Sequence, residues 1–157
     1  MKPDQLFFRY AWPCTEVILQ KKKITQERFD QLKKAAEGGR TPAKEILEDT
    51  YKTAFTNLKK IAAEIKKDYW DIEVIRKYFE EGGHNDFISS GGGEFGHAPE
   101  SLKDLCRIKE GIVEEIIGGI VRVRHGKKER MCRNIYHLKL RKGDSIVMHY
   151  GYVVSKA

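Results

Sequence analysis

The chain has 157 residues, a length that suits one compact domain or two very small ones. Hydrophobic residues make up 40% of it and charged residues 34%, and no apolar run approaches the roughly 20 residues that span a bilayer. Its three cysteines, Cys14, Cys106 and Cys132, are too few and too scattered for a disulfide framework. These features exclude a disulfide-stapled secreted domain and predict a cytoplasmic protein without a membrane partner.

The net charge of +7 is unevenly distributed along the chain. Residues 1–100 hold 17 Lys and Arg against 17 Asp and Glu, whereas residues 101–157 hold 13 against 6. A basic face of this kind attracts nucleic acid or an acidic protein surface, although charged strand edges also serve solubility alone. The candidate face comprises Arg122, Arg124, Lys127, Lys128 and Arg130.

The first part of the chain, residues 1–83, has the periodicity of a small helical bundle. Thr25 is the predicted N-cap of one helix, which Gly38 and Gly39 end. Thr41 begins a second, long helix in which apolar residues recur at three- and four-residue spacing as far as Ile65. A shorter helix is predicted from Asp71. Residues 84–104 contain a run of serine and glycine and are predicted to form a linker or loop.

From residue 105 onward, short apolar segments are separated by glycine-containing turns. Gly118 and Gly119 predict a hairpin turn, and Val121 and Val123 alternate with arginines as in a strand with one buried face. Five short strands in about fifty residues predict a small antiparallel barrel of the OB or SH3 type. The predicted fold class is therefore α+β, a helical bundle followed by a barrel over residues 105–157.

Two residues of the predicted barrel can carry chemistry. Cys106 stands at its start beside Arg107 and Lys109, whose positive charges favour the reactive thiolate. His149 stands in the final strand, and a thiolate with an imidazole can hold a transition metal. The alternatives are a small buried hydrophobic residue for Cys106 and a core histidine bonded to a carbonyl for His149.

Other cysteines and histidines form no familiar ligand spacing, and neither a zinc pattern nor a catalytic triad is present in the sequence. Cys14 follows Pro13 in a predicted turn, where packing is the favoured role. The sequence does not place His84 or His97 relative to the barrel.

The barrel segment resembles the HypC/HupF family, small chaperones of [NiFe]-hydrogenase maturation. Their barrels begin Cys-x-x-x-x-Gly-x-Val and end Gly-Asp-x-Val-x-x-His-x-Gly-[Phe/Tyr]. This chain has Cys106, Gly111 and Val113 at the first motif. At the second it has Gly143, Asp144, Ile146, His149, Gly151 and Tyr152. The resemblance covers about a third of the chain and implies turn roles for Gly111, Gly143, Asp144 and Gly151.

The resemblance also implies a function. The family cysteine holds iron that carries cyanide and carbon monoxide, so Cys106 would bind such iron transiently, without a tightly bound cofactor. The partners implied are a HypD-like maturation protein and a hydrogenase large subunit. The chain departs from the family because Cys106 is internal and because Lys109 and Glu110 replace Ile-Pro. Its Phe8-Arg9-Tyr10-Ala11-Trp12-Pro13 run is also similar to a poorly characterised group with helices before a HypC-like barrel.

The sequence thus favours a non-enzymatic accessory or chaperone-like factor of metalloenzyme maturation, with Cys106 and His149 as metal or partner ligands. The second hypothesis is a nucleic-acid-binding module that uses the basic barrel. The third is a structural subunit that docks through the helices.

Overall fold

The structure, a computed structural model, describes residues 1–92 and 97–157. Its helices are α1 (Pro3–Ala11), a 3₁₀ turn (Trp12–Cys14), α2 (Thr15–Gln20), α3 (Gln26–Glu37), α4 (Lys44–Thr50), α5 (Lys52–Ile65), α6 (Ile72–Phe79), α7 (Gly83–Ser89) and α8 (Glu100–Cys106). The strands are β1 (Lys109–Ile117), β2 (Ile120–His125), β3 (Lys128–Arg133), β4 (Ser145–His149) and β5 (Tyr152–Lys156). The predicted α+β class, a helical N-terminal part followed by a small barrel, is confirmed.

The helices pack around an aromatic core centred on Phe7, which is fully buried. Its ring lies 4.7 Å from that of Phe55 and 5.8 Å from that of Trp70, measured between centroids. Tyr10, one turn further along α1, stacks on Phe79 of α6 at 5.1 Å. Offset and edge contacts of this kind add to the stabilisation that burial of the rings provides. The helix α1 is therefore the central element of the helical region.

The long helix predicted from Thr41 to Ile65 is instead two helices that meet at Tyr51. The Thr50 hydroxyl donates a 2.7 Å hydrogen bond to the Ile46 carbonyl, a side-chain bond that commonly bends helices. The bend carries the Tyr51 ring inward, where its hydroxyl lies 2.7 Å from that of Thr15. Apolar spacing alone did not reveal the break, because both helices keep the same buried face.

The strands close into a barrel in the order β1-β2-β3-β5-β4. All neighbouring pairs are antiparallel except β3 and β5, which meet in parallel at Arg133 and Tyr152. This is a five-stranded Greek-key barrel such as OB folds have. Its interior is filled by Val113, Val121, Val123, Cys132, Ile146, Met148 and Val153. The strand predicted around Val121 and Val123 is present. The predicted final strand is instead a hairpin, β4 and β5, that turns at Tyr150 and Gly151. The predicted antiparallel pairing needs correction at β3 and β5.

Gly111 differs from its predicted role as a turn residue. It lies inside β1, opposite Ile146 of β4. A Cβ atom at this position would lie 2.4 Å from Cγ1 of Val123 and 3.0 Å from the Arg124 carbonyl oxygen. Strand β1 therefore needs glycine here because the neighbouring strand leaves no room for a side chain.

The predicted linker over residues 84–104 contains two short helices, α7 and α8, that flank residues outside the described part of the chain (93–96). Asn85 of α7 joins this segment to the barrel through two hydrogen bonds with Ile108, one to its carbonyl at 2.9 Å and one from its N–H at 2.8 Å. Much of this segment is thus structured and in contact with the barrel.

The helices and the barrel pack against each other through apolar side chains. Val154 of β5 belongs to the core of the helical region, and Ile108, Ile135 and Val147 pack against the same core. The Tyr136 hydroxyl donates a 2.8 Å hydrogen bond to the Arg9 carbonyl of α1. None of the helices in the described ranges has the length and apolar character needed to cross a membrane.

Candidate metal centre

His149 is the last residue of β4 and points into the junction between barrel and helices. The turn after it places Tyr150 and Gly151 at φ 46° and 79°, a pair of left-handed conformations typical of two-residue hairpins. The Tyr150 N–H donates to the Leu105 carbonyl at 3.2 Å, which ties this turn to α8. His149 is completely inaccessible to solvent. Gly151 therefore has the turn role that was predicted for it.

One hydrogen bond determines the state of the His149 ring. Its Nδ1 lies 2.7 Å from the Tyr10 carbonyl oxygen, which can only accept, so Nδ1 must carry the hydrogen. Nε2 then presents a lone pair, and it is buried without a hydrogen bond among the described residues. The Cys106 backbone lies near the ring, but its carbonyl oxygen can only accept, so it cannot satisfy that lone pair. A buried polar atom in this state is unusual and commonly marks a missing ion or water.

His84 lies beside it at the start of α7. Gly82, at φ 98°, turns the chain between α6 and α7 and aims His84 back at the junction. The two imidazole rings meet edge to face, with centroids 4.9 Å apart. His84 Nδ1 lies 3.3 Å from Asn85 Oδ1, an oxygen that already accepts from the Ile108 N–H, so Nδ1 again acts as the donor. Its Nε2 is thereby left as the ligating atom.

Both imidazoles are uncharged near neutral pH. Burial lowers the pKa of His84 to about 4. Burial, reinforced by the neighbouring His84, lowers the pKa of His149 to about 3, although backbone groups of Tyr10 and Cys106 favour its charged form. Neither ring therefore carries a second proton, on Nε2, near neutral pH. The neutral imidazole is the form that binds metal ions.

Cys14 completes the cluster. Pro13 is the second residue of the 3₁₀ turn that links α1 to α2, and Cys14 ends it in a half-buried position. Its Sγ and one ring nitrogen from each of His84 and His149 all lie within 4.8 Å of one another. Zinc bonds of about 2.0–2.3 Å place tetrahedral ligands about 3.3–3.8 Å apart, so a bound ion would draw the three side chains slightly together.

The donor set suits a divalent transition metal. One thiolate and two imidazoles are ligands for Zn²⁺, Fe²⁺, Co²⁺ or Ni²⁺ rather than for Mg²⁺ or Ca²⁺. The hydrogen bonds from Nδ1 of His149 and of His84 are of the kind that orient metal-bound imidazoles. Three protein ligands also leave a fourth position open in a tetrahedral ion, as in catalytic or transfer sites rather than closed structural ones.

Cys106 is not an exposed ligand. It ends α8 rather than opening a strand, has no accessible surface, and packs with Val17 and Ile88. Burial raises the pKa of its thiol to about 12, opposite to the thiolate that neighbouring charges predicted. The charges of Arg107 and Lys109 are directed to carboxylates instead, at Glu100 and Asp104. The predicted thiolate at Cys106 is wrong, and the alternative, a small buried hydrophobic residue, describes its surroundings. Its backbone does lie beside His149.

Gly143 and Asp144 form the turn before β4, as their predicted roles require. Gly143 has φ 91°, a left-handed conformation that favours glycine. The Asp144 carboxylate accepts a 2.8 Å hydrogen bond from the Arg141 N–H and pairs with Lys156 at 3.1 Å. These two residues therefore shape the barrel without touching the metal cluster.

The predicted basic face is divided and largely neutralised. Arg122 pairs with Glu115 at 3.1 Å and Arg124 pairs with Glu114 at 2.6 Å, both on the outside of the barrel. Lys128 and Arg130 turn toward α8 and pair with Asp104 at 3.7 and 2.5 Å. Lys127 lies in the turn between β2 and β3. The five residues thus do not form a single cationic surface.

Sequence reasoning identified one of the three cluster residues and missed Cys14 and His84. They are distant in the sequence and follow no ligand spacing, so only folding brings them together. The aromatic run before Cys14 and the glycine pair before His84 were the available signals. The sequence matches no protein-family model and no curated protein.

Proposed function

We propose that this protein is a non-enzymatic accessory factor of metalloenzyme maturation that takes up one divalent transition-metal ion at Cys14, His84 and His149. The observation that supports it most is the convergence of these ligand atoms within 4.8 Å around a buried, unpartnered Nε2. A neutral, preoriented pair of imidazoles beside a thiol is costly to bury unless an ion satisfies it.

The resemblance to the HypC/HupF family suggests the context. His149 is the residue that matches the family's closing histidine, and it is also the most deeply buried member of the cluster. In this chain Cys14 supplies the sulfur that the resemblance assigned to Cys106. Iron is accordingly the proposed cargo, and a HypD-like protein or a hydrogenase large subunit is the proposed partner.

Transient carriage fits the site better than a permanent structural role. A structural zinc site commonly has four protein ligands, whereas this cluster offers three. Cys14 is only half buried, so one side of a bound ion would face a cavity rather than packed protein. An ion held in this way can exchange a ligand with a partner without unfolding of the chain.

A nucleic-acid role has less support. Four of the five basic residues that motivated it make ion pairs with acidic side chains of the same chain. Salt-dependent binding to phosphates depends on cations that are available to replace counterions. These internal pairs would have to break first.

Metal titration of the full chain tests the proposal. Protein treated with a chelator and kept reduced and anaerobic should bind one equivalent of Co²⁺ and show a thiolate-to-cobalt absorption band. Cys14→Ser should remove the band and weaken binding at least 10-fold, because the sulfur ligand is lost. Cys106→Ser is the matched control and should keep both band and stoichiometry. Absence of one-equivalent binding, or a band lost only with Cys106→Ser, would contradict the proposed site.

Delivery is tested by transfer. Chain loaded with labelled ferrous iron is mixed with a purified HypD-like protein or metal-free hydrogenase large subunit, and the label is followed after separation. Transfer should be faster than release to buffer alone. Equal rates in both reactions would contradict the delivery role while leaving the metal site in place.

A further inference from the structure

A cavity of about 320 Å³ opens directly onto the candidate metal centre. The buried His84 and the half-buried Cys14 line it on the inside, and the exposed residues Lys23, Asp49 and Lys52 define its mouth. Most of the wall between them is apolar. It includes Val17, Ile18, Ala54, Phe87 and Ile88, and it also carries the hydroxyl-bearing residues Thr50, Tyr51, Thr53 and Tyr78. Its volume falls within the range of small-molecule sites, which begins at about 300 Å³.

We infer that this cavity binds a small apolar thiol whose sulfur occupies the open coordination position of the metal ion. This inference rests on the proposed metal site and adds a ligand to it. The thiol would enter past the mouth and release its proton to solvent as the metal–sulfur bond forms. Its hydrocarbon part would then replace water against the apolar wall.

Charge is the reason for an anionic ligand. A divalent ion bound by one thiolate and two neutral imidazoles keeps a net charge of +1, and among the described residues Asp49 alone contributes a carboxylate to the cavity lining. Asp49, at the mouth, is already paired with Arg28 at 3.1 Å. A second thiolate would make the buried centre neutral, which removes the free-energy cost of an isolated charge at low dielectric.

Sulfur is favoured over oxygen for two reasons. Metal ions that accept one thiolate and two imidazoles also accept a second thiolate, giving a tetrahedral set of two sulfurs and two nitrogens. A carboxylate or hydroxide would need hydrogen bonds from the wall. The hydroxyls of Thr50 and Tyr51 on the cavity lining already bond Ile46 and Thr15, and the apolar side chains beside them offer none. The exposed Lys23 at the mouth attracts the thiolate form, whereas Lys52 already pairs with Asp49 at 3.9 Å.

The length of the thiol provides the test. The full chain loaded with Co²⁺ is titrated with ethanethiol, propanethiol and butanethiol, and the growth of the thiolate-to-cobalt band gives the affinity. Each added methylene that enters the cavity should tighten binding by about fourfold. The polar analogue 2-mercaptoethanol should bind more weakly than propanethiol. Gel filtration checks that cobalt remains on the protein.

A cavity-filling variant adds an independent measurement. Ala54→Phe places a ring in the cavity and should weaken butanethiol binding at least 10-fold while Co²⁺ affinity stays unchanged. Ala63→Phe, on the exposed side of the same helix, is the matched control and should behave as wild type. If Ala54→Phe does not fold, Ala54→Leu and the chain-length series in the wild type decide the question.

The outcomes separate the two proposals. Affinity that does not depend on thiol length, or cobalt stripped from the protein by thiols, would overturn the thiol site while the metal site stands. Failure of the wild-type chain to take up Co²⁺ at all would overturn both.

Discussion

Polar side chains differ in burial and charge between two regions of the molecule, the junction of helices and barrel and the outer surface of the barrel. At the junction His149 and His84 are buried and uncharged, and their hydrogen bonds go to neutral partners. On the outer surface charged side chains stay partly exposed and pair with one another, as Arg122 does with Glu115. The candidate ligand atoms therefore lie away from the charged outer surface of the barrel.

The reason is the cost of burial. Exposed ion pairs gain little free energy, typically under about 1 kcal/mol, so they can be numerous without a specific role. A buried imidazole without a partner at Nε2 is costly enough to be rare. The few polar groups buried at the junction are therefore better indicators of function than the many arginines and lysines on the outer surface. Three substitutions test this contrast, in order of expected effect.

The largest effect is expected at the junction itself. His149→Ala leaves a cavity between barrel and helices and deprives the Tyr10 carbonyl of its donor. The metal-free protein should lose about 3 kcal/mol of unfolding free energy, measured by urea denaturation. Arg124→Ala, on the outer surface, is the control and should lose less than about 0.5 kcal/mol. Similar losses for both variants would remove the contrast between the two regions.

An intermediate effect is expected for the second cysteine at the junction. Cys106→Ala removes a fully buried sulfur that packs with Val17 and Ile88, so it should destabilise the fold by about 1–2 kcal/mol. Metal affinity should not change, because the proposed sulfur ligand is Cys14. Thermal unfolding and Co²⁺ titration of the same sample measure both quantities. Unchanged stability together with lost metal binding would restore Cys106 as the ligand.

The smallest effect is expected at Asp104, which joins α8 to the outer barrel. A hydrogen bond from Lys109 holds the pKa of this carboxylate below its usual value, with help from Arg130 and Lys128. The pKa of Lys109 is lowered as well, because its own burial outweighs the ion pair, so the net stabilisation is modest. The Asp104→Asn variant should therefore lose about 1 kcal/mol of unfolding free energy at pH 7.

The downward shift of the Asp104 pKa determines how this loss of stability depends on pH. A carboxylate whose folded pKa lies below its unfolded value stabilises the fold above the unfolded pKa, and this contribution disappears as the pH falls through the folded one. The difference in unfolding free energy between Asp104→Asn and wild type, measured by urea denaturation, should thus shrink from pH 7 to pH 3. Glu129→Gln, at an exposed partner of Arg122, is the control. A difference that grows on acidification would mean that Asp104 does not act as a charge.

Much of the fold followed from local patterns in the sequence. Alternation around Val121 and Val123 and the glycine turns predicted the barrel, since strand period and turn chemistry are short-range properties. The helix break at Tyr51 was missed because a side-chain hydrogen bond produces it. The helices near His84 were missed because they are stabilised by contacts with the barrel. Gly111 was misread for the same reason, since the crowding by Val123 comes from another strand.

The sequence by itself determined the helical and barrel segments and singled out His149 through its motif. It assigned the sulfur facing that histidine to Cys106 and gave Cys14 a packing role, because a linear chain does not show which cysteine the fold brings to the imidazole. Tertiary structure decided this: the turn at Pro13 brings Cys14 to the imidazoles, and the packing of α8 buries Cys106 among apolar side chains. Ligand sets of this kind arise from long-range packing, which no local period encodes.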